Sequence, residues 1–215
     1  KTAARRFKCS HLRGAERHHL DRMRIHTISQ IMKNLSLSAI LVGFASFAAA
    51  DCPAPTDHRA SMKRLLDAVK IAPNEMAAAQ IANHMWALWA DAPDDKAQQM
   101  LDDGMARRSS FDFDGAMKAF ELLIAYCPDY AEGYNQRAFV LFLREDYKPA
   151  LIDLDRAIER SPTHIAAIAG KALTLIGLKR DADAQVVLRE ALALNPWLKE
   201  RQFLTGDAPT TETDI

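Results

Sequence analysis

The chain has 215 residues, of which 49% are hydrophobic and 26% are charged. This composition excludes a disordered or collagen-like protein, and the length is sufficient for a packed core. The formal net charge of zero hides an asymmetry, because residues 1–50 carry nine Lys and Arg against two acidic residues, whereas the remainder carries nineteen against twenty-six. An acidic main part is a poor electrostatic match for nucleic acid or an anionic membrane, so we expect neither as a partner.

Residues 1–31 are rich in Arg and His and show neither a helical nor a strand period. They lie upstream of Met32, which is a better start for the segment that follows. We expect residues 1–31 to be a mis-assigned, disordered leader. A basic nucleic-acid arm and an organelle transit peptide are the alternatives.

Residues 32–50 have the pattern of a bacterial-type signal peptide. Lys33 precedes a short apolar stretch, and three alanines ending at Ala50 precede Asp51, as at a signal-peptidase site. The stretch is shorter than the roughly 20 residues that a membrane span needs, although an uncleaved anchor is the alternative. We expect cleavage after Ala50, a periplasmic location and no membrane attachment afterwards.

Two cysteines, Cys52 and Cys127, follow this front end. An even pair in an oxidising compartment permits one disulfide. A buried, unpaired Cys127 at a helix end is the alternative, so the pairing stays open.

Residues 51–96 are expected to form an N-terminal segment and an atypical helix pair. The two helical stretches read HRASMKRLLDAVKI and NEMAAAQIANHMWALWAD, and Pro73 lies between them. Apolar residues recur in both at helical spacing.

Residues 97–198 repeat with a period of 34 residues. Each of the units 97–130, 131–164 and 165–198 is expected to form two helices, with small residues where the helices approach closely and bulky ones between them. Four columns keep the period: Gly104, Ala138 and Ala172; Ala116, Ala150 and Ala184; Phe120, Leu154 and Leu188; and Pro128, Pro162 and Pro196.

These columns resemble the tetratricopeptide repeat (TPR) family, whose repeat has a small residue at position 8, Ala at 20, a bulky residue at 24 and Pro at 32. The resemblance implies an all-α solenoid of antiparallel helix pairs. Extending the period backwards puts Ala82 and Trp86 in the core columns, so residues 51–96 are expected to contain a degenerate capping pair. Residues 199–215 are expected to form a short closing helix and an acidic tail.

The resemblance also implies a concave groove lined by the first helix of each repeat. At its binding positions this chain is largely apolar, which favours a peptide or an amphipathic helix as the ligand. The Lys and Asn that clamp a peptide carboxylate in some family members are absent at the matching positions. The alternative to ligand binding is that these residues are covered by the N-terminal segment or by self-association. The expected groove residues are Leu101, Met105, Arg108, Asn135, Phe139, Phe142, Leu173 and Ile176.

The sequence lacks the common nucleotide-binding, zinc-protease and serine-hydrolase motifs. We therefore expect no enzymatic activity, no cofactor and no metal ion. The predicted function is that of a periplasmic adaptor that binds a protein or peptide of unknown identity in the groove. The alternative is a structural subunit of an envelope complex or a homo-oligomer that uses the groove and the face of Trp86 and Trp89.

Overall fold

The computed structural model describes residues 51–206, and the expected leader, signal peptide and last residues of the tail lie outside this range. Within it the chain forms eight α-helices and a closing 3-10 helix and contains no strand, so the predicted all-α fold class is confirmed. None of the described helices is both long and apolar enough to cross a membrane. The helices are α1 (Arg59–Lys70), α2 (Glu75–Trp89), α3 (Asp95–Ser109), α4 (Phe113–Tyr126), α5 (Ala131–Leu143), α6 (Tyr147–Arg160), α7 (Ile165–Gly177) and α8 (Asp181–Leu194), followed by the 3-10 helix Lys199–Phe203.

Helices α3 to α8 pack as a TPR-like solenoid. Each of the pairs α3–α4, α5–α6 and α7–α8 is a hairpin that packs on the next, and the first helices also contact one another from repeat to repeat. The small and bulky columns of the sequence repeat lie inside these hairpins and are buried. A fourth small or apolar column, Leu123, Ala157 and Ala191, is fully buried as well.

The turn inside each hairpin has the same geometry three times. Two residues after the end of the first helix lies a residue with positive φ, and these residues are again 34 apart: Phe111, Glu145 and Lys179. In the last of them the amide of Lys179 donates to Ile176 and the amide of Arg180 donates to Leu175, each at 2.9 Å. This pair of bonds is the Schellman motif, in which glycine normally takes the left-handed position.

The helix pair α1–α2 does not take the position of a further stacked repeat. Its buried side chains, including Met85, form a cluster with Ile165 at the start of α7, and Trp197 and Leu198 pack against that cluster. Trp86, expected in a core column, is 47% exposed. The expectation of a stacked capping pair is therefore corrected, because the apolar face of α2 packs across the repeats and not onto the end of the solenoid.

A disulfide between Cys52 and Cys127 holds the segment before α1 against the first repeat. Cys127 ends helix α4 and is almost fully buried, and Cys52 packs against the same cluster. The segment that leads into α1 is thus attached covalently to the first repeat.

Candidate binding groove

A cavity of about 410 Å³ lies between α2 and the first helices of the repeats. We call this cavity and its walls the groove. Most of its wall is apolar, and its polar groups come from a few side chains of α3, α5 and α7 and of the segment after α8. The lining residues are Ala82, Met85, Trp86 and Trp89 from α2; Arg108 from α3; Asn135, Gln136, Ala138, Phe139 and Phe142 from α5; Leu154 from α6; Ile165, Ala166, Ala169, Gly170, Leu173 and Thr174 from α7; and Asn195, Leu198 and Glu200.

The structure brings five of the expected groove residues together in this wall: Arg108, Asn135, Phe139, Phe142 and Leu173. Phe139 is the most prominent of them, with 44% of its surface exposed. Phe142 packs edge-to-face on Tyr147 at a centroid distance of 5.6 Å, so part of its ring supports the α5–α6 turn.

The expectation that Leu101 faces the groove is wrong. Leu101 is fully buried in the core of the first repeat. Met105 packs against the same core, and neither residue is part of the groove wall. The physical reason is that Ala90 and Ala92, in the linker after α2, also pack on this core. Ile176 is half-buried and lies outside the wall.

A buried carboxylate, that of Glu132, lies beside the groove and is 1% exposed. It accepts hydrogen bonds from Nδ2 of Asn135 at 3.1 Å, Nε2 of Gln136 at 2.5 Å and Nε2 of His164 at 2.7 Å. A buried carboxylate without such donors would be strongly destabilising. The network therefore fixes the side chains of Asn135 and Gln136 at the groove surface.

The ring of His164 joins this network to helix α7 and to α2. Its Nδ1 accepts a hydrogen bond from the amide of Ala167 at 3.3 Å and so caps α7. Because Nδ1 accepts, the proton that bonds to Glu132 is on Nε2. The indole of Trp89 stacks on the ring at a centroid distance of 4.4 Å and an interplanar angle of 14°.

Arg108 brings the positive charge of the groove. Its guanidinium lies 4.7 Å from the ring centroid of Phe139 and donates a hydrogen bond to the side-chain oxygen of Gln136. Burial lowers the pKa of Arg108, and the charge of Glu132 acts in the opposite direction. Gln136 thus links the half-buried cation to the buried anion, so that two opposite charges lie on the same side of the groove.

One buried polar atom of the wall has no partner. Oγ1 of Thr174 in α7 makes no hydrogen bond to any described residue. Buried hydroxyls are usually satisfied, but Thr174 is fully buried, so this hydroxyl is not exposed at the groove surface. In the described part of the chain, no group of three or more His, Cys, Asp or Glu side chains is placed to hold a metal ion.

Several groove residues were not predicted as such from the sequence. Gln136 and Thr174 lie one residue beyond repeat positions that the family pattern uses. One residue is a rotation of about 100° around the helix, so these two side chains lie at the edge of the face that the pattern indicates. Trp89 and His164 come together only through the fold, because they are 75 residues apart in the sequence.

No family model matches the chain. The chain is 42% identical over 115 residues to tetratricopeptide repeat protein 36 of Xenopus tropicalis, covering 51% of this chain and 56% of that relative. It is 40% identical over 74 residues to a tetratricopeptide repeat protein 36 homolog of Nematostella vectensis, covering 34% and 41%. The repeats of this chain are therefore similar in sequence to TPR proteins.

The chain spans about half the length of the curated relatives it matches. A similar solved structure is the TPR2B domain in the pHsp70 complex of yeast Sti1, with 28% identity and a TM-score of 0.48 over 51% of this chain and 91% of that one. The similarity to TPR proteins rests on the sequence relatives and on the 34-residue repeat.

Proposed function

We propose that this TPR protein is an adaptor that binds a segment of another protein in the groove. The observation that carries the proposal is the exposed apolar surface of Phe139 and Trp86 around an open cavity. Monomeric proteins rarely leave contiguous apolar surface next to a preformed cavity unless something binds there.

The polar groups of the groove support a protein segment as the ligand. The amide groups of Asn135 and Gln136 are held in fixed positions by Glu132. A few oriented polar groups in an apolar wall give orientation and specificity without supplying a reactive group. Among the described residues, the one cation that lines the wall is half-buried Arg108, stacked on Phe139, so the ligand needs no terminal carboxylate.

We place this activity in the periplasm. Two observations support the location: the signal-peptide pattern of residues 32–50 and the Cys52–Cys127 disulfide, a bond that persists in oxidising compartments. Detection of the mature protein in an osmotic-shock fraction, with Asp51 as its first residue, is the expected result. A cytoplasmic protein that retains residues 32–50 would contradict it.

The test of binding is crosslinking and partner capture in the source organism with a tagged chain and two variants. Phe139→Glu places a charge in the groove, and its matched control Ile152→Glu makes the same kind of change at an exposed apolar residue of α6. We expect partners that are captured by the wild type and the control and lost from Phe139→Glu, with all three proteins equally folded by circular dichroism.

Equal capture by Phe139→Glu and the wild type would contradict groove binding. Self-capture alone, together with a dimer mass in light scattering, would support instead a structural subunit that associates with its own copies.

A further inference from the structure

We propose that α2, which forms one wall of the groove, lies on α5 and α7 as a bound helix would, and that the partner is an amphipathic helix with the same apolar spacing that takes the place of α2. This proposal rests on the proposed function and deepens it, because it names the conformation and pattern of the partner segment.

The first observation is the spacing of the α2 residues in the groove wall. Ala82, Met85, Trp86 and Trp89 are at positions i, i+3, i+4 and i+7 of one helix. These positions form one face of an α-helix, and this is the pattern of anchors by which an amphipathic helix binds a groove. The chain therefore contains a helix with the form of a groove ligand, and that helix lies against the groove.

The second observation is the set of contacts that α2 makes there. Met85 is 1% exposed and packs in a cluster with Ile165 of α7. Trp89 stacks on His164, and its carbonyl oxygen accepts a hydrogen bond from Oη of Tyr130 at 2.8 Å. A partner helix with an aromatic residue at the Trp89 position can make the same stacking contact and accept the same hydrogen bond.

The third observation is that α2 fills the groove incompletely. Trp86 is nearly half exposed, and the cavity of about 410 Å³ remains between α2 and α5. A helix with larger side chains than Ala82 on this face would fill more of that volume and gain apolar contact that α2 does not make.

Apart from the apolar cluster, the Trp89–His164 stack and the Tyr130 hydrogen bond, ion pairs add little to the attachment of α1–α2. The exposed ion pair Arg201–Glu75 joins the closing 3-10 helix to the start of α2, with its nitrogen and oxygen atoms 3.8 Å apart. Exposed ion pairs contribute little to stability. The ion pair His58–Asp91 joins the start of α1 to the end of α2 and does not involve the repeats. An element held in this way opens at a lower free energy than the repeats do.

Covalent connections still favour α2 over a free ligand. The pair is held at one side by the Cys52–Cys127 disulfide and at the other by the linker to α3. A tethered segment has an effective concentration of about a millimolar, so a free helix of equal intrinsic affinity binds poorly until α2 is weakened.

The test uses a fluorescent peptide with the sequence of residues 74–91 as the probe and the 215-residue chain as the receptor. The released variant is Met85→Asp/Trp89→Asp, which removes two anchors of α2. The matched control is Met76→Asp/His84→Asp, which changes two exposed residues of the same helix. Binding is measured by fluorescence anisotropy.

We expect the released variant to bind the probe at least about tenfold more tightly than the wild type and the control do. A probe that itself carries the Met85→Asp and Trp89→Asp changes should not bind. Equal affinity of wild type and released variant would overturn the proposal. So would a released variant with folded repeats that fails to bind, and the Phe139→Glu capture experiment would then still decide the proposed function, because it leaves α2 unchanged.

A second measurement covers the case in which the released variant does not fold. In hydrogen exchange of the wild type, the amides of α2 should exchange through a partial opening, faster than those of α5 and α7. Exchange of α2 only together with the repeats would show that α2 does not leave the groove, and this would overturn the proposal.

Discussion

At the scale of single residues, the turns inside the repeats combine regular geometry with unfavourable residues. Phe111, Glu145 and Lys179 all have φ near 60°, a conformation that costs a residue with a side chain of the order of 1 kcal/mol. The cost recurs with the repeat because the two Schellman hydrogen bonds at each helix end require that conformation.

Replacement of Lys179 by glycine should therefore stabilise the protein. Lys179 is exposed, so its side chain loses little contact, and we expect an increase of about 0.5–1 kcal/mol in the free energy of unfolding from removal of the strain. Urea denaturation of the wild type and the variant measures this difference in the free energy of unfolding.

The matched control for that change is Lys118→Gly, an exposed lysine in the interior of α4. There φ is that of a normal helix, and glycine should lower the stability by about 1 kcal/mol. If both substitutions destabilise by the same amount, the turn at Lys179 carries no strain.

At the scale of helix pairs, the repeats solve one packing problem with two combinations of residues. In the first repeat Gly104 faces Phe120, and a Cβ atom at Gly104 would overlap the phenyl ring. The corresponding pairs are Ala138 with Leu154 and, in the third repeat, Ala172 with Leu188. A larger residue on one helix is thus matched by a smaller residue on the other.

This complementarity predicts a compensating double substitution. Gly104→Ala alone should destabilise by about 1–3 kcal/mol through overpacking, and Phe120→Leu alone by about 1–2 kcal/mol through the cavity it leaves. The double variant has the combination of the second repeat and should be less destabilised than the two single changes added together. Thermal denaturation of the four proteins gives the coupling, and strict additivity would mean that the two residues do not share one packing site.

The helix pairs also show how much of the fold could be predicted. The 34-residue columns gave the fold class and the packing of α3 to α8, because each column expresses a contact between neighbours in sequence. The position of α2 was not predictable in this way, because Met85 meets Ile165 and Trp89 meets His164 across two repeats. The same limit explains Leu101, whose repeat position indicated the groove but whose burial depends on the core packed by the linker at Ala90.

At the scale of the whole molecule, the disulfide joins the segment before the atypical helix pair α1–α2 to the first of the regular repeats. Cys52 and Cys127 are 75 residues apart, and the loop they close contains α1, α2, α3 and α4. A loop of this length loses enough entropy in the unfolded chain to stabilise the folded one by about 4 kcal/mol in the simplest model.

Cys52→Ala should therefore lower the free energy of unfolding, by up to about 4 kcal/mol, and should increase hydrogen exchange of α1 and α2 more than that of α5 to α8. The local effect follows because this substitution removes the tether of the segment before α1 and leaves buried Cys127 in its cluster. A reductant should bring the wild type to the stability of the variant and leave the variant itself unchanged. If the purified wild type instead contains free thiols at Cys52 and Cys127 and does not respond to reductant, α2 is held in the groove by its own contacts alone.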